Sequence, residues 1–492
     1  MNGGTLWLLL LGPLLGSVAS LACPGPGTVL TLIVAGAVAM AALAAPVVSA
    51  AVAGQSIQAA GGWLFLDPLS AYHLSVLLMV FLLGSVHARG YFSDEHELSH
   101  FPLRTARRFG ALWFGALAAM VLVLLSNNLG IMWVGIEAST LLTAFLICLH
   151  NTRTSLEATW KYLLMCSVGV AFAFMGTLLV ASSAVESGTT GAHALAWTRL
   201  RDVAGSLDPL PLQLGFLFLL VGYGTKAGLA PMHNWLPDAH SQAPSPVSAL
   251  FSGFLLNGAL YCILRYLPIV EAAPGLHGFG TSLLVFFGLV SILVAAAFIV
   301  HQEDCKRLLA YSSVEHLGII ALGAGLGPAG AAAGLFHLLN HSMAKSLAFF
   351  SAGRLGQMYG THDLSRMKGV LRASPLWGTG LFAGLLALIG LAPFSIFISE
   401  FRIVQAAIDS RRMWTVVLFL VGTSIVFAGA LRHAMAMAWE EPPRLPAPRP
   451  RSPLDIALVV TLLSALLVLG LVMPAPLRAA IDAAVRVLQG GA

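Results

Sequence analysis

Apolar residues in this chain do not alternate with polar ones; they come in long blocks. Uninterrupted apolar segments occupy about 5–22, 28–53, 67–88, 109–126, 128–149, 159–184, 212–235, 245–268, 279–300, 307–326, 328–352, 375–407, 411–438 and 454–473. Most reach the roughly 18 residues that a helix needs to cross a hydrocarbon core. The pattern predicts an all-α polytopic membrane protein with about fourteen transmembrane helices. The proline-rich stretch Glu440–Pro453 reads as a stiff, exposed linker, and Leu477–Leu488 as an amphipathic tail that lies on the membrane or docks a sibling subunit.

Composition agrees with the pattern. Of the 492 residues, 58% are hydrophobic and only 10% charged, against about 25% charged in soluble domains. A soluble enzyme, a nucleic-acid binder and a disordered scaffold are excluded. The net charge of +5 comes from scattered loop residues and forms no basic patch for nucleic acid. Cys23, Cys148, Cys166, Cys262 and Cys305 are far apart, with no CxxC pair, so neither a metal nor a cofactor is expected. No Lys or Arg precedes Leu6–Leu15, so the first apolar block reads as a spanning helix rather than a signal peptide. Loops on the side of Arg104, Arg107, Lys306 and Arg307 hold roughly twice the Lys and Arg of loops on the side of Arg199, Arg265 and Arg411. That bias puts both termini on the non-cytoplasmic side of a cell inner membrane.

Charges inside the apolar blocks change the picture. Lys226 and Lys345 fall within spans, as do Glu137, Glu315, Glu400, His316, His337 and His341. Each central charge costs about 2.5–3.5 kcal/mol on insertion scales, so such groups face protein or water and mark an ion or proton path. Lys226-Ala-Gly-Leu-Ala-Pro231 sets a lysine beside a helix-breaking proline, and Leu391-Ala-Pro393 through Glu400 sets a carboxylate beside another, five spans later. Interrupted helices at matching places in two halves point to inverted repeats. The expected organisation is 1–108 (helices 1–3), 109–268 (first five-helix repeat, broken at Pro231), 279–438 (second repeat, broken at Pro393) and 439–492 (linker, last helix and tail).

His337, His341 and Lys345 recur every four residues and share a helical face. Two histidines so spaced could hold zinc, but Leu338-Leu339 supplies no catalytic glutamate and no third ligand is evident, so a proton relay or satisfied core histidines are the remaining readings. Glu315 and His316 point to neighbouring faces, so at most one is expected on the path. Glu157 and Lys161, acid first at i,i+4, form a favourable helix-surface ion pair. Asp238 and His240 lie in the turn after the first break, where Asp238 is expected to cap it, while His73, His87 and His433 read as structural.

The stretch Gly222-Tyr-Gly-Thr-Lys-Ala-Gly-Leu-Ala-Pro-Met-His-Asn-Trp-Leu-Pro-Asp-Ala-His-Ser-Gln-Ala-Pro-Ser-Pro-Val-Ser-Ala-Leu250 resembles the signature of the antiporter-like membrane subunits of respiratory complex I, membrane-bound hydrogenases and multisubunit sodium/proton antiporters. Trp133-Val-Gly-Ile-Glu137, Asp304-Cys-Lys-Arg-Leu-Leu-Ala-Tyr-Ser-Ser313, Phe336-His-Leu-Leu-Asn-His-Ser-Met-Ala-Lys345 and Pro393 to Glu400 resemble further motifs of that family, and the likeness runs from about 65 to 435. Ser312-Ser-Val-Glu-His-Leu-Gly318, with Glu400 in place of a lysine, is most similar to the hydrogenase-4 component F branch.

The resemblance implies that Glu137 and Lys226 pair in a first half-channel, with a static salt bridge as the bland alternative. It also implies that Glu157 and Lys161 could tune that pair and that Glu400 is the exit group. Implied partners are sibling antiporter-like membrane subunits, the lipid bilayer, and [NiFe]-hydrogenase and iron–sulfur subunits that carry the redox chemistry, since no redox centre is visible in this chain. Rival readings are a sodium/proton antiporter subunit, an ion-coupled subunit of inorganic-carbon uptake, and a non-conducting anchor. One departure bears on the last: where many relatives carry a lysine or histidine in the eighth helix, this chain has Asn257, which can hold water but no charge at neutral pH.

Overall fold

Proline, glycine and short polar caps punctuate the apolar blocks, and the helices begin and end where they fall. The computed structural model describes residues 2–97, 100–185, 188, 191–441, 446 and 452–491. Its longer helices are α1 (Asn2–Ala22), α2 (Pro26–Val52), α3 (Pro68–Glu97), α4 (Leu103–Leu125), α5 (Leu129–Ile147), α6 (Arg153–Ser182), α7 (Pro209–Ala227), α8 (Trp235–Gln242) and α9 (Ser245–Ala272). They continue as α10 (Phe279–Ile299), α11 (Cys305–Ala324), α12 (Gly327–Tyr359), α13 (Pro375–Leu388), α14 (Ser395–Asp409), α15 (Met413–Trp439), α16 (Pro453–Leu471) and α17 (Ala475–Leu488). A two-stranded hairpin, Ile57–Ala59 with Leu64–Leu66, covers one end of the bundle. Proline opens α2, α7, α13, α16 and α17, where its missing N–H is not needed. Asn128, Asp208, Asp304 and Ser452 accept hydrogen bonds from first-turn N–H groups of α5, α7, α11 and α16.

Every apolar block read from the sequence is a helix or a broken helix, and among the described residues eleven helices are long and apolar enough to cross a membrane. The blocks outside that set are α11, α12 and the α13/α14 pair, which carry Glu315, His316, His337, His341, Lys345 and Glu400. Of these, α11 and α12 are buried along most of their lengths, as is α9, whereas α1, α6 and α15 turn rows of Leu, Phe and Trp outward, as lipid-facing helices do. The expected linker 440–453 falls, apart from its ends and residue 446, outside the described residues.

Without a hydrophobic force between helices in lipid, close backbone approach does much of the packing. On α10 and α11, a Cβ built on Gly288 would lie 2.6 Å from the Gly318 carbonyl oxygen, and one on Gly318 2.7 Å from that of Gly288. The amphipathic α17 does not face outward: it buries Ile481, Ala484, Val487 and Leu488 and packs chiefly on α3 and α12 of its own chain.

Ion pairs tie the two ends. Arg265 of α9, read from the sequence as a loop residue, is 4% exposed and grips Asp67 with both Nη atoms, at 2.6 and 2.7 Å. Its Nε donates to the Tyr261 hydroxyl at 2.7 Å, and its guanidinium sits 4.5 Å over the Trp197 ring. Burial would raise the Asp67 carboxyl, but the guanidinium beside it holds it below the ordinary carboxylate value. At the other end Arg354 of α12 reaches Asp94 of α3 at 2.7 Å and Asp455 of α16 at 3.3 Å.

Breaking a buried pair from one side strands the other charge and costs about 3–5 kcal/mol. Arg265→Met should therefore lower the thermal midpoint of the purified protein in detergent by several degrees. The Asp67→Asn/Arg265→Met double variant should recover most of that loss in the same melting assay.

Candidate functional site

Two helices are interrupted in the middle of the bundle, each by the same four residues. α7 ends at Gly228-Leu-Ala-Pro231 and α13 at Gly390-Leu-Ala-Pro393. Gly228 and Gly390 both take left-handed backbone, with φ +77° and +68°, which a residue with a Cβ rarely adopts. The freed backbone groups find partners: the Thr225 carbonyl accepts from Trp235 Nε1 at 2.8 Å, and the Ala230 N–H donates to Ser291 Oγ of α10 at 2.9 Å. Across the second break, Asn340 Nδ2 of α12 donates to the Ser395 carbonyl at 3.2 Å. Each break thereby sets charged groups next to irregular backbone at membrane depth.

Beside the first break, Lys226 is fully buried and donates to the Tyr162 hydroxyl, with Nζ 4.5 Å from the ring centroid. That hydroxyl also contacts Thr143 Oγ1 at 2.7 Å. Glu137 of α5 is not ion-paired with Lys226; its Oε1 accepts from Ser167 Oγ of α6 at 3.1 Å, while its Oε2 is buried without a hydrogen-bond partner. The expected pair is thus two groups that each bond a hydroxyl, Glu137 that of Ser167 and Lys226 that of Tyr162, with no salt bridge between them.

The second cluster lies on α9, α11, α12 and α14. A π-helical turn at Phe251–Leu255 loosens α9 in mid-span. The Ser252 carbonyl there faces His341 Nε2 at 3.2 Å, and the Gly253 carbonyl accepts from Ser342 Oγ at 2.6 Å and Asn257 Nδ2 at 2.9 Å. Asn257, the departure noted in the sequence, thereby joins α9 to α12 through backbone and Ser342. Lys345 Nζ donates to the Leu309 carbonyl at 2.6 Å and to Ser312 Oγ. From His341 the file continues: its ring centroid is 4.9 Å from that of His316, His316 Nδ1 contacts His337 Nε2 at 2.8 Å, and His337 Nδ1 contacts Ser399 Oγ at 2.9 Å. Ser399 precedes Glu400.

Glu315 and His316 are both buried, at 2% and 0% exposure, and of the two it is His316 that contacts His337 and His341. Helix α11 is enclosed on nearly all sides, which gives both faces a protein environment. A trio without His341 does converge here: one atom each from His316, His337 and Glu400 lie within 4.8 Å of one another. This trio has the donor set of a metal site. His316 Nδ1 and His337 Nε2, however, sit 2.8 Å apart, closer than the roughly 3.3 Å that bond lengths around tetrahedral zinc impose, so these two atoms do not share a zinc ion. The contact is a hydrogen bond, and the arrangement suits proton hand-over.

Between the two clusters stand Trp235 and Phe251, whose rings lie 4.9 and 6.0 Å from that of Tyr162. Among the described residues no side-chain hydrogen bond joins the clusters.

At the Arg307 end, Asp238 does not simply cap its turn. It binds Lys161 at 3.0 Å and Arg307 at 2.5 Å, while Lys161 also holds Glu157 at 2.7 Å. The Glu157–Lys161 pair thus extends into a bridge from α6 through α8 to α11. Lys306, assigned from the sequence to a loop, is 2% exposed and donates to the carbonyls of Ser241, at 3.2 Å, and Ala243. His73, His87 and His433 make local contacts, His73 with the Leu69 carbonyl, His87 stacked on Phe350 and His433 with the Val300 carbonyl. The sequence reading missed Tyr162, Ser167, Ser252 and Ser399. Only Tyr162 left a signal, four residues before Cys166 on the inward face of a helix that otherwise points Leu, Phe and Met outward.

Comparison with known proteins bears on this arrangement. A family model described as "NADH:quinone oxidoreductase/Mrp antiporter, TM" matches residues 126–426. A "Hydrogenase-4 component F homolog" from Methylacidiphilum infernorum (isolate V4) is 40% identical over 348 residues, covering 70% of this chain and 73% of the relative. Among solved structures, a chain of the membrane-bound sulfane sulfur reductase, an archaeal respiratory membrane complex, superposes with a TM-score of 0.86 at 24% identity, covering 98% of this chain and 97% of the other. A chain of respiratory complex I from Thermus thermophilus superposes with a TM-score of 0.75 at 26% identity, covering 96% of this chain and 99% of the other. With two broken helices and clusters of buried Lys, Glu and His beside them, the chain belongs to the membrane-spanning family of NADH:quinone oxidoreductase and the Mrp antiporter.

Proposed function

We propose that this chain is the proton-translocating membrane subunit of a hydrogenase-4 or formate-hydrogenlyase-like complex. Its partners would be sibling antiporter-like membrane subunits together with [NiFe]-hydrogenase and iron–sulfur subunits that supply the redox chemistry. The observation that carries the reading is the contact series His341, His316, His337, Ser399 beside Glu400, at 2.8 and 2.9 Å in its last two steps. An imidazole bonded at both nitrogens can take a proton at one and give another from the opposite side. His337 is so bonded, and Glu400, with a carboxylate oxygen within 4.8 Å of a ring nitrogen of His337, is the group that would take the proton and release it.

Lys226 starts the sequence of events in the first unit. Its proton affinity depends on the balance between desolvation and a nearby carboxylate. Movement of Glu137 away from Ser167 toward the Tyr162 hydroxyl would let Lys226 keep its proton, and movement back would release it. Glu315 and Lys345 would play the matching parts in the second unit. The repeated Gly-Leu-Ala-Pro breaks, at residues 228–231 and 390–393, support two inverted five-helix units, 109–268 and 279–438. The charge bias of the loops supports a cell inner membrane with both termini non-cytoplasmic.

In inverted vesicles carrying the whole complex, Lys226→Ala and Glu400→Gln should each reduce redox-driven proton uptake, read by quenching of an acridine dye, to the uncoupled background. Native gels should show normal assembly. Wild-type uptake should be the same in sodium-free buffer; a sodium requirement in vesicles lacking hydrogenase would instead identify an antiporter.

Tyr162→Phe removes the hydroxyl that holds Lys226 and should slow uptake while leaving part of it. Lys161 and Arg307 are 49% and 39% exposed, so Asp238→Asn forfeits two screened pairs worth at most about 1 kcal/mol each. Its thermal midpoint should stay near wild type while the uptake rate falls; a parallel loss of both would reduce Asp238 to a structural staple.

A further inference from the structure

No side-chain hydrogen bond joins the two clusters among the described residues, so protons that leave the second need a supply of their own. Three titratable groups at the Arg307 end take no part in the path described above. His240, near the end of α8, is fully buried, and neither of its ring nitrogens has a hydrogen-bond partner among the described residues. Its ring stacks on that of Phe349 of α12, with centroids 5.2 Å apart. Lys306, on the first turn of α11, donates to the carbonyls of Ser241, the residue after His240, and of Ala243. His362 lies in the loop after α12 and is partly exposed. Its carbonyl accepts from the Cys305 N–H at 2.8 Å, and its Nδ1 is buried without a partner. Lys306 is near enough for its charge to act on both imidazoles, and Lys345 near enough to act on His240.

Helix α12 sets these groups in order. Lys345, Phe349 and Gly356 lie within about 40° of one another around its axis. His240 stacks on the second, and a Cβ built on the third would lie 2.1 Å from His362 Cε1. The two histidines thus attach to the face that carries Lys345, about one turn and three turns beyond it. From Lys345 to Gly356 the row covers about 16 Å along the axis.

We infer that His362, Lys306 and His240 form a proton inlet that feeds Lys345 from the Arg307 end, apart from the route through Lys226. It rests on the proton-path reading and deepens it by giving the second unit its own supply. Lys306 gives a proton to His240 and regains one from His362. His240 takes that proton at one nitrogen and yields the proton on the other to the Lys345 amine, which becomes an ammonium. Each ring is neutral before and after, so burial does not oppose its resting state. Water would carry the proton across any gap longer than a hydrogen bond. A histidine kept for its shape alone would do better as phenylalanine, which stacks equally well and leaves no nitrogen unpaired, at about 1–3 kcal/mol for each unpaired one. His87 shares the unpaired nitrogens and the stacking, but the charge acting on it is that of Arg354, which does not give up its proton.

Inverted vesicles carrying the whole complex test this. His240→Phe should lower redox-driven proton uptake by about tenfold or more, as loss of a positioned proton-transfer group does. Its thermal midpoint should be at or above that of wild type, since two unpaired nitrogens are gone. His87→Phe should leave uptake unchanged. Lys306→Arg keeps the charge and the donors to both carbonyls but cannot release its proton, so its uptake should fall as that of His240→Phe does. It decides the matter should His240→Phe fail to assemble on native gels. Wild-type uptake in the His240→Phe vesicles, or an equal loss in His87→Phe, overturns the inlet while leaving the proton-path reading intact; absence of uptake in wild type overturns both. A second readout needs no transport: deuterium exchange at the imidazole Cε1 positions, followed by mass spectrometry on the full chain in lipid nanodiscs. Exchange should be faster at His240 than at His87, and equal rates overturn the inlet.

Discussion

A helix in hydrocarbon must satisfy its own backbone hydrogen bonds, because no water is there to do it. This chain breaks two helices at membrane depth and must repair both. The repair dictates which elements surround the breaks: Trp235 on the far side of the first and Ser291 from α10, then Asn340 from α12 at the second. The same logic governs α9, where the π-helical turn leaves carbonyls for His341 and Ser342. The helices enclosed along nearly all their lengths are α9, which carries that turn, α12, which supplies Asn340, and α11. Their burial in turn makes it possible to keep Lys345, Glu315 and three histidines at that depth.

Much of this was legible in the sequence, because cost leaves a trace. A lysine or glutamate inside an apolar block is expensive and therefore conspicuous, and so is a proline in a spanning helix. Lys226, Glu400, Pro231 and Pro393 could all be read that way. What could not be read are the partners. Tyr162, Ser167, Ser252 and Ser399 are ordinary residues in membrane helices, and their roles come from which helix lies opposite. Periodicity gives the face of a helix but not its neighbour, so the sequence predicts only a local cap at Asp238, whose partners lie 77 residues before it and 69 after it. Lys306 and Arg265 looked like loop charges for a related reason: a block boundary is blurred by a turn or more, and one turn separates water from the interior.

The two ends of the bundle differ from its middle in how charge is handled. At the ends, opposite charges meet directly: Arg265 with Asp67, Arg354 with Asp94 and Asp455, Asp238 with Lys161 and Arg307. In the middle, acids and bases bond hydroxyls instead of one another, as Glu137 does Ser167 and Lys226 does Tyr162. Direct pairs lock geometry, and spaced groups leave each free to exchange its proton. The chain uses the first kind as scaffold and reserves the second for the interior.

The rings of Trp235 and Phe251 take on a meaning from that contrast. Two conductors in series without an insulator behave as one wire, and a wire open at both ends is a short circuit for any gradient across it. Aromatic rings beside Tyr162, with no side-chain hydrogen bond past them among the described residues, would make this bundle two capacitors instead of one wire, each half charged while its neighbour is discharged.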